Sequence, residues 1–247
     1  MPALLPGYAR VSKEPRYSLT FALPLLVLYE ALAFTLSGYE ISGVRNGADV
    51  LLKSIFLALG GRDGLIVFGA LMLGTGAWIV WRDRRQEMRM DLRVFPLMAA
   101  ESVLYALGFG MITRTLTGLL LPGLALVADF SVQSSSGGLP TQLMISLGAG
   151  IYEELLFRVL LVSGLAWLGR GLFTWSRTTA AVFAVLTGAL IFSAFHYIGP
   201  YGDSLQVASF TFRAVAGVLF SGIYVLRGFG ITAWTHAMYD VFLAVGR

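Results

Sequence analysis

Long apolar runs constrain the fold of this chain more than any other feature. A transmembrane helix needs about 20 mostly apolar residues. Seven stretches meet this need, and they cover approximately residues 18–36, 65–81, 94–113, 143–168, 179–198, 207–226 and 229–245. The sequence therefore predicts an all-α fold, a polytopic transmembrane helix bundle of seven or eight spans with an intramembrane polar cavity.

The composition excludes several other classes of protein. Only 13% of the 247 residues are charged and 57% are hydrophobic, whereas an ordinary soluble domain carries about 25% charged residues. Disordered chains, coiled coils and disulfide scaffolds are excluded. The absence of cysteine excludes disulfides and thiolate sites, and any histidine chemistry must use His196 or His236. The net charge of +4 does not predict nucleic-acid binding, because no recognition module is present.

Two segments have an uncertain place in the bundle. Val44–Leu59 carries Arg45, Asp49 and Lys53, so it is interpreted as an interfacial amphipathic helix or an eighth span. Thr115–Leu126 is a second doubtful piece. No linker divides the chain, which predicts a single integral membrane domain over residues 1–247. Within it, residues 1–140 are N-terminal spans of unassigned type and residues 141–247 form a core.

The distribution of Lys and Arg predicts the orientation, because positive residues accumulate in cytoplasmic loops. With the N-terminus inside, the inner segments hold 11 basic residues and the outer segments hold 4. The densest group, residues 81–93, lies between two apolar runs as a cytoplasmic loop would. We therefore expect an integral protein of the bacterial inner (plasma) membrane, with a cytoplasmic N-terminus.

Ionisable residues inside the apolar runs are costly in lipid, so each one is a candidate for function. They are Glu30, Glu101, Glu153, Glu154, Arg158, Arg213 and Asp240, to which the two histidines are added. Most fall into three clusters, Glu153–Arg158, Phe192–His196 and His236–Asp240, on three separate spans. Each cluster alone is also consistent with a structural role.

The spacing within the clusters predicts particular pairs. Glu154 and Arg158 are four residues apart, so they can pair on one helix face, and His236 and Asp240 are related in the same way. Glu153 lies about 100° around the helix from Glu154 and has no evident partner on its own helix. Outside the clusters, Arg213 is expected to pair with Asp240 or with a substrate carboxylate.

Two kinds of hydrolytic chemistry suit this set of residues. In a zinc site, two histidines and a carboxylate hold the metal and a glutamate acts as the base. In a metal-free site, glutamate activates water with help from histidine. No convincing serine nucleophile and no nucleotide-binding motif is present, and both possibilities stay open at this point.

The ordered motifs Glu153-Glu154-x-x-x-Arg158, Phe192-x-x-x-His196 and His236-x-x-x-Asp240 resemble the CPBP family of CAAX proteases and bacteriocin-processing enzymes, also called the Abi family. The resemblance covers about residues 140–245. It implies a membrane-embedded site in which Glu153 activates water with help from His196. Glu154 and Arg158 would hold the first motif, and His236 and Asp240 would face the oxyanion.

One position departs from the family pattern. The family often has Asn where this chain has Asp240, and an ionised Asp cannot donate to an oxyanion. Asp240 would then be protonated, orient His236 or bind a metal. No cofactor is certain, but a divalent metal such as Zn bound by His196, His236 and Asp240 stays open.

The expected function is that of an intramembrane endopeptidase. Its expected partners are membrane lipids and a membrane-anchored peptide or protein substrate, and no nucleic acid. Association with other membrane proteins stays open. The alternative is a non-catalytic membrane protein of the same fold, such as an immunity factor, scaffold or complex subunit. A proton-coupled transporter is a weaker hypothesis, because the expected repeats are missing. Glycines 69, 74, 76, 148 and 150 allow close helix packing or leave a groove, and close packing is the favoured interpretation.

Overall fold

The computed structural model describes residues 5–37, 45–84, 90–122, 138–199 and 202–246, and within these ranges every regular element is helical. The α-helices are α1 Leu5–Val11, α2 Pro15–Ser37, α3 Gly47–Arg84, α4 Val94–Leu120, α5 Leu139–Gly148, α6 Ser163–Leu172, α7 Arg177–Phe195, α8 Val207–Arg227 and α9 Phe229–Val245. Two π-helical segments, π1 Ala149–Glu153 and π2 Leu155–Val162, join α5 to α6. The predicted all-α class is confirmed.

The helices have the length and surface of membrane spans. Six described stretches are long and apolar enough to cross a membrane, namely Pro15–Leu36, Gly47–Asp83, Val94–Leu120, Leu139–Leu172, Arg177–Phe195 and Val207–Arg227. Helix α9 has 17 residues, the lower limit for a span. Large apolar side chains such as Leu71, Leu104 and Leu190 stand exposed on the outside, as expected of a lipid-facing surface. The expected count of seven or eight spans agrees with this arrangement.

The uncertain segment Val44–Leu59 forms the first half of α3. The backbone leaves helical geometry at Gly60 and at Gly61, whose φ is +57°, a value that glycine adopts without strain. The chain folds back at this point, as shown by the rings of Phe56 and Phe68, whose centres lie only 5.2 Å apart. Residues 47–59 and 62–84 are therefore two helical halves. In the other uncertain segment, Thr115–Leu126, residues 115–120 form the end of α4, and residues 123–126 lie outside the described ranges.

The charges in the first half of α3 are paired with each other and with α2. Lys53 Nζ lies 2.7 Å from Asp49 and 3.0 Å from Glu30, and Arg45 lies 3.2 Å from Asp49. Tyr152 also donates to Glu30. This pairing explains how a segment with three charges sits against an apolar bundle.

Helix α9 lies at the centre of the bundle, packed against α2, α4, α5, α8 and π1. Its first turn begins after Gly228, whose φ is +83°, and the backbone N–H of Gly230 donates to Ser18 Oγ at 2.7 Å. A Cβ added at Gly150 would lie 2.4 Å from the carbonyl oxygen of Ala233. The absence of a side chain at Gly150 is therefore what lets π1 approach α9 so closely.

The predicted close packing at glycine is seen in only part of the chain. It occurs at Gly148 and Gly150, but a Cβ at Gly69, Gly74 or Gly76 would meet nothing within 4 Å. At these three positions close packing is not seen among the described residues, and the space beside each glycine is open.

The predicted span 143–168 is longer and less regular than an ordinary α-helix. It runs from Leu139 to Leu172 and passes through π1 and π2, so the motif Glu153–Arg158 lies within π-helical geometry. Segments of π-helix are rare and often occur at functional sites. Sequence periodicity assumes a regular 3.6-residue repeat and could not have predicted this change.

One end of the bundle collects the segments that charge patterning assigned to one side of the membrane. The backbone N–H of Arg16 donates to Asp83 at 3.0 Å, and that of Asp91 donates to Tyr17 at 2.7 Å. Arg227 donates to the carbonyl of Ala9 at 3.0 Å. The N-terminus, the α3–α4 connection and the end of α8 therefore share one end. Residues 85–89 of the arginine-rich loop lie outside the described ranges.

Candidate active site

Glu153 is the last residue of π1. Its side chain is buried and contacts Asn46, a residue from the N-terminal half of the chain. Only 8% of Glu153 is exposed. Asn46, directly before α3, donates from Nδ2 to Glu153 Oε1 at 2.8 Å. His196, His236 and Arg158 lie within electrostatic range of the Glu153 carboxylate. The residue without a partner on its own helix is thus contacted by an amide and surrounded by cationic or potentially cationic groups.

Glu154 links the first motif to the last. Its Oε1 lies 2.7 Å from His236 Nδ1, and its Oε2 lies 3.2 Å from Arg158 Nε. All three side chains are buried. The predicted pairing of Glu154 with Arg158 is present, and Glu154 also holds the imidazole of the central helix α9.

The guanidinium of Arg158 is held by aromatic rings as well as by charge. Its Cζ lies 4.5 Å from the ring centre of Phe192 and 5.4 Å from that of Phe220, distances typical of cation–π contacts. Within the described residues its three side-chain nitrogens make no hydrogen bond. Arg158 therefore depends on its ion pair and on aromatic stacking for compensation of its buried charge.

Phe192 lies between the two histidines. Its ring centre is 4.9 Å from that of His196 and 6.4 Å from that of His236, and His236 stacks on Phe220 at 4.2 Å. Both histidines of the chain thus converge on one aromatic cluster, although they belong to α9 and to the end of α7.

The hydrogen bond of His196 determines which of its nitrogens is available. His196 Nδ1 lies 2.9 Å from the carbonyl oxygen of Phe192. A carbonyl oxygen only accepts, so Nδ1 carries the proton, and Nε2 of the neutral ring keeps its lone pair. His196 can therefore accept a proton or a hydrogen bond through Nε2.

Asp240 lies at the more open side of the site. Its Oδ2 is 3.6 Å from His236 Nε2, and 24% of its side chain is exposed. This distance is an ion-pair contact and too long for a hydrogen bond, so the predicted His236–Asp240 pair is looser than the His236–Glu154 contact. His196 is also partly exposed, whereas Glu154 and Arg158 are fully enclosed. The site therefore opens near His196 and Asp240.

Three other in-membrane charges belong elsewhere. Arg213 pairs with Asp203 and donates to Ser209, so the expectation that it pairs with Asp240 is wrong. Asp203 lies in the connection between α7 and α8, outside the apolar runs from which the expected partner was drawn. Glu101 pairs with Arg227 at the end of α8, and Glu30 pairs with Lys53.

Metal binding by these residues depends on which of their donor atoms are available. Among the described residues, no group of three or more His, Asp or Glu is arranged to hold a metal. The Nδ1 atoms of both histidines face Phe192 O and Glu154, so Nε2 is the atom of each ring that could bind a metal. A metal held by His196, His236 and Asp240 stays a prediction.

Asn46 is the contact residue that motif reasoning missed. It is the only asparagine in the chain, and it lies about 100 positions before the motifs it joins, in the half to which no role was assigned. Its rarity, like that of the two histidines, is the sequence feature that could have identified it. It lies in the segment Val44–Leu59, which was interpreted as an interfacial helix or an eighth span.

Comparison with known proteins supports the resemblance of the motifs to a family of CAAX proteases. Residues 135–242 match the family model described as type II CAAX prenyl endopeptidase Rce1-like, nearly the range over which the motifs resemble the CPBP family. No curated protein and no solved structure matches the chain.

Proposed function

Because residues 135–242 match the family model described as type II CAAX prenyl endopeptidase Rce1-like, we propose that this chain is an intramembrane endopeptidase. It hydrolyses a peptide bond of a membrane-associated substrate with water activated by Glu153. The observation that supports this most is the convergence of the buried Glu153 carboxylate with the imidazoles of His196 and His236, which come from three different helical segments.

Glu153 is the general base in this proposal. Its Oε1 accepts the Asn46 amide, and its second oxygen takes a proton from the attacking water. His196 helps to orient that water, because its Nε2 can accept a hydrogen bond from the second water hydrogen. General-base catalysis of this kind contributes about 10²–10⁴ in rate.

The bond changes balance without a further reactant. As the water oxygen bonds to the carbonyl carbon, one water proton moves to Glu153 and the carbonyl π pair moves to oxygen. Collapse of the tetrahedral intermediate then breaks the C–N bond, and the proton on Glu153 passes to the leaving amine. The products are a new carboxyl end and a free amino end.

His236 is the residue we assign to the developing oxyanion. Its Nδ1 is held by Glu154, which fixes the ring, and Nε2 points toward Asp240. In the protonated ring, Nε2–H can donate to an oxyanion. Glu154 and Arg158 then act indirectly, by holding His236 and the π-helical motif in place.

The proposal predicts that Glu153→Gln and His196→Ala abolish proteolysis. Each variant removes a group assigned to water activation, so we expect cleavage to fall by about 10²–10⁴. The measurement is cleavage of a fluorogenic farnesylated Cys-a-a-X peptide by purified protein in liposomes, with the products identified by mass spectrometry. An unprenylated version of the peptide reports whether the lipid is required.

Asp63→Asn is the matched control, because Asp63 is an exposed acid away from the site. It should cleave like the wild type, and all variants should elute as folded, monodisperse protein. Wild-type rates in both E153Q and H196A would disprove the protease mechanism. A wild type that cleaves neither peptide would favour the non-catalytic alternative, a membrane protein that retains the fold alone.

A further inference from the structure

The amide of Asn46 has a defined orientation. Asn46 caps α3: its Oδ1 accepts the backbone N–H of Ala48 at 2.9 Å, and its carbonyl accepts the N–H of Val50 at 3.0 Å. Side-chain oxygens of asparagine favour this N-cap position. Because Oδ1 is engaged by a donor, Nδ2 is the atom that faces Glu153, and it can only donate.

Space for this contact exists because residue 148 is glycine. A Cβ added there would lie 2.6 Å from Asn46 Cβ and 2.5 Å from Cε2 of Tyr29. The backbone of the α5–π1 region can therefore approach the start of α3. Asn46 is also nearly sealed, with 3% of its surface exposed, so the hydrogen bond to Glu153 is protected from competing solvent.

A second contact holds the backbone of Asn46 and does not involve its side-chain amide. The backbone N–H of Asn46 donates to the hydroxyl of Tyr29 at 3.3 Å, and that hydroxyl donates to Asp49 at 2.7 Å. Asp49 is in turn paired with Lys53 and Arg45. This contact fixes the backbone at the start of α3 to α2, whereas the side-chain amide of Asn46 is oriented separately, by the Ala48 N–H on its Oδ1.

We propose that Asn46 is a positioning residue for the Glu153 general base. By donating to Oε1 it holds the carboxylate in one rotamer and turns the second oxygen toward the attacking water. This inference rests on the proposed function. It extends the active site into the N-terminal half of the chain, which lies outside the matched residues 135–242.

Asn46→Ser separates positioning from helix capping. Serine is a good N-cap residue, so α3 should still begin correctly, but its shorter side chain cannot reach Glu153. We expect kcat on the farnesylated peptide to fall about 100-fold with KM unchanged, since misplacing a catalytic group by about 1 Å can cost that much. The acid limb of the pH–rate profile should also move to higher pH, because a carboxylate that loses a donor is more easily protonated.

Tyr29→Phe is the control from the same contact chain. It removes the hydroxyl behind Asn46 but leaves the Asn46–Glu153 bond, so wild-type kcat and pH profile are expected. Asn46→Ser with wild-type kcat would overturn the inference. An equal loss in Tyr29→Phe and Asn46→Ser would also overturn it, because the role would then be structural.

A second measurement does not depend on a substrate. Dicyclohexylcarbodiimide reacts with protonated carboxyl groups in apolar surroundings, and labelled peptides can be quantified by mass spectrometry. Labelling of Glu153 should rise several-fold in Asn46→Ser, while labelling of Glu154, which does not contact Asn46, should stay constant. Unchanged labelling of Glu153 would overturn the inference.

The two proposals fail in different ways. If the wild type cleaves nothing, the proposed function is lost, and labelling alone decides whether Asn46 controls Glu153. If the wild type and Tyr29→Phe cleave while Asn46→Ser is as active as they are, only the role of Asn46 is lost.

Discussion

Asp240 is the residue whose chemistry fits the proposed reaction least directly. In its ionised form it cannot donate to an oxyanion, and its Oδ2 is 3.6 Å from His236 Nε2. The firm contact of His236 is instead with Glu154, at 2.7 Å. Asp240 is therefore unnecessary for holding His236, and its carboxylate is the group to test.

Asp240→Asn should keep wild-type cleavage or increase it. The amide has nearly the same shape, it can donate to an oxyanion, and a donor of that kind is worth about 10²–10³ in kcat. The measurement is the initial rate of peptide cleavage in liposomes, compared with the wild type at equal protein density.

The cleavage rates of the wild type and of Asp240→Asn are also measured after treatment with EDTA or 1,10-phenanthroline. In the metal-free scheme chelators leave the rates of the wild type and of Asp240→Asn unchanged. An inactive Asp240→Asn, together with loss of wild-type activity on chelation and its recovery with Zn²⁺, would refute that scheme. Asp240 would then act as a metal ligand.

Among the secondary-structure elements, π1 and α9 depend most closely on each other. Glu153 ends π1 and His236 lies within α9, so the site exists only while these two segments stay in contact. Gly150 makes this contact possible, because its position faces the backbone of Ala233. A small residue at a helix crossing in the membrane lets two backbones approach in this way.

Gly150→Ala should separate the two segments. The new Cβ would lie 2.4 Å from Ala233 O, and overpacking of this kind costs about 1–3 kcal/mol. We expect a lower thermal unfolding temperature in detergent and a loss of cleavage, because His236 moves away from Glu154.

Gly69→Ala is the matched substitution in α3, where a Cβ meets nothing within 4 Å. It should leave activity unchanged and raise helix stability by up to about 1 kcal/mol. If Gly150→Ala is as stable and active as Gly69→Ala, the close approach of π1 to α9 is not required.

At the scale of the whole molecule, the bundle has a consistent sidedness. The N-terminal segment, the ends flanking the arginine-rich loop and the end of α8 meet at one end through contacts such as Arg16–Asp83 and Arg227–Ala9. From the positive-inside tendency we expect that end to be the cytoplasmic one. Contacts within the bundle and the counting of Lys and Arg are independent arguments for the same grouping.

Orientation can be tested because the chain contains no cysteine. Leu92 and Ser204 are exposed, and they precede α4 and α8 respectively. In spheroplasts, a membrane-impermeant maleimide should label Ser204→Cys directly, and it should label Leu92→Cys only after permeabilisation. The cysteine-free wild type is the control, and the reverse pattern would invert the predicted topology.

Much of the fold could be predicted because its cause is local. An apolar run of about 20 residues must form a helix in a bilayer, since its backbone polar groups have no other partners. The helix spans and the Glu154–Arg158 pair follow from such reasoning. The fold-back of α3 at Gly60 and Gly61 was less evident, because these glycines lie between Val44–Leu59 and the apolar run 65–81, and spacing along the chain does not show the direction of the turn.

The candidate site was predictable only along each helix. Spacing relates residues four apart, so it could pair His236 with Asp240, but it could not show that Glu154 makes the closer contact with His236. Nor could it assign Arg213 to Asp203. These partners come from different segments, and their distances depend on how the helices pack.

The sequence alone determined the membrane environment, the helical class and the small set of polar residues that needed an explanation. It did so because hydropathy and charge act over one or two turns of a single helix. Tertiary structure alone decided that Asn46 reaches Glu153, that Phe192 lies between both histidines, and that π1 packs on α9. The physical reason is that such contacts depend on the packing of distant segments, which local periodicity does not encode.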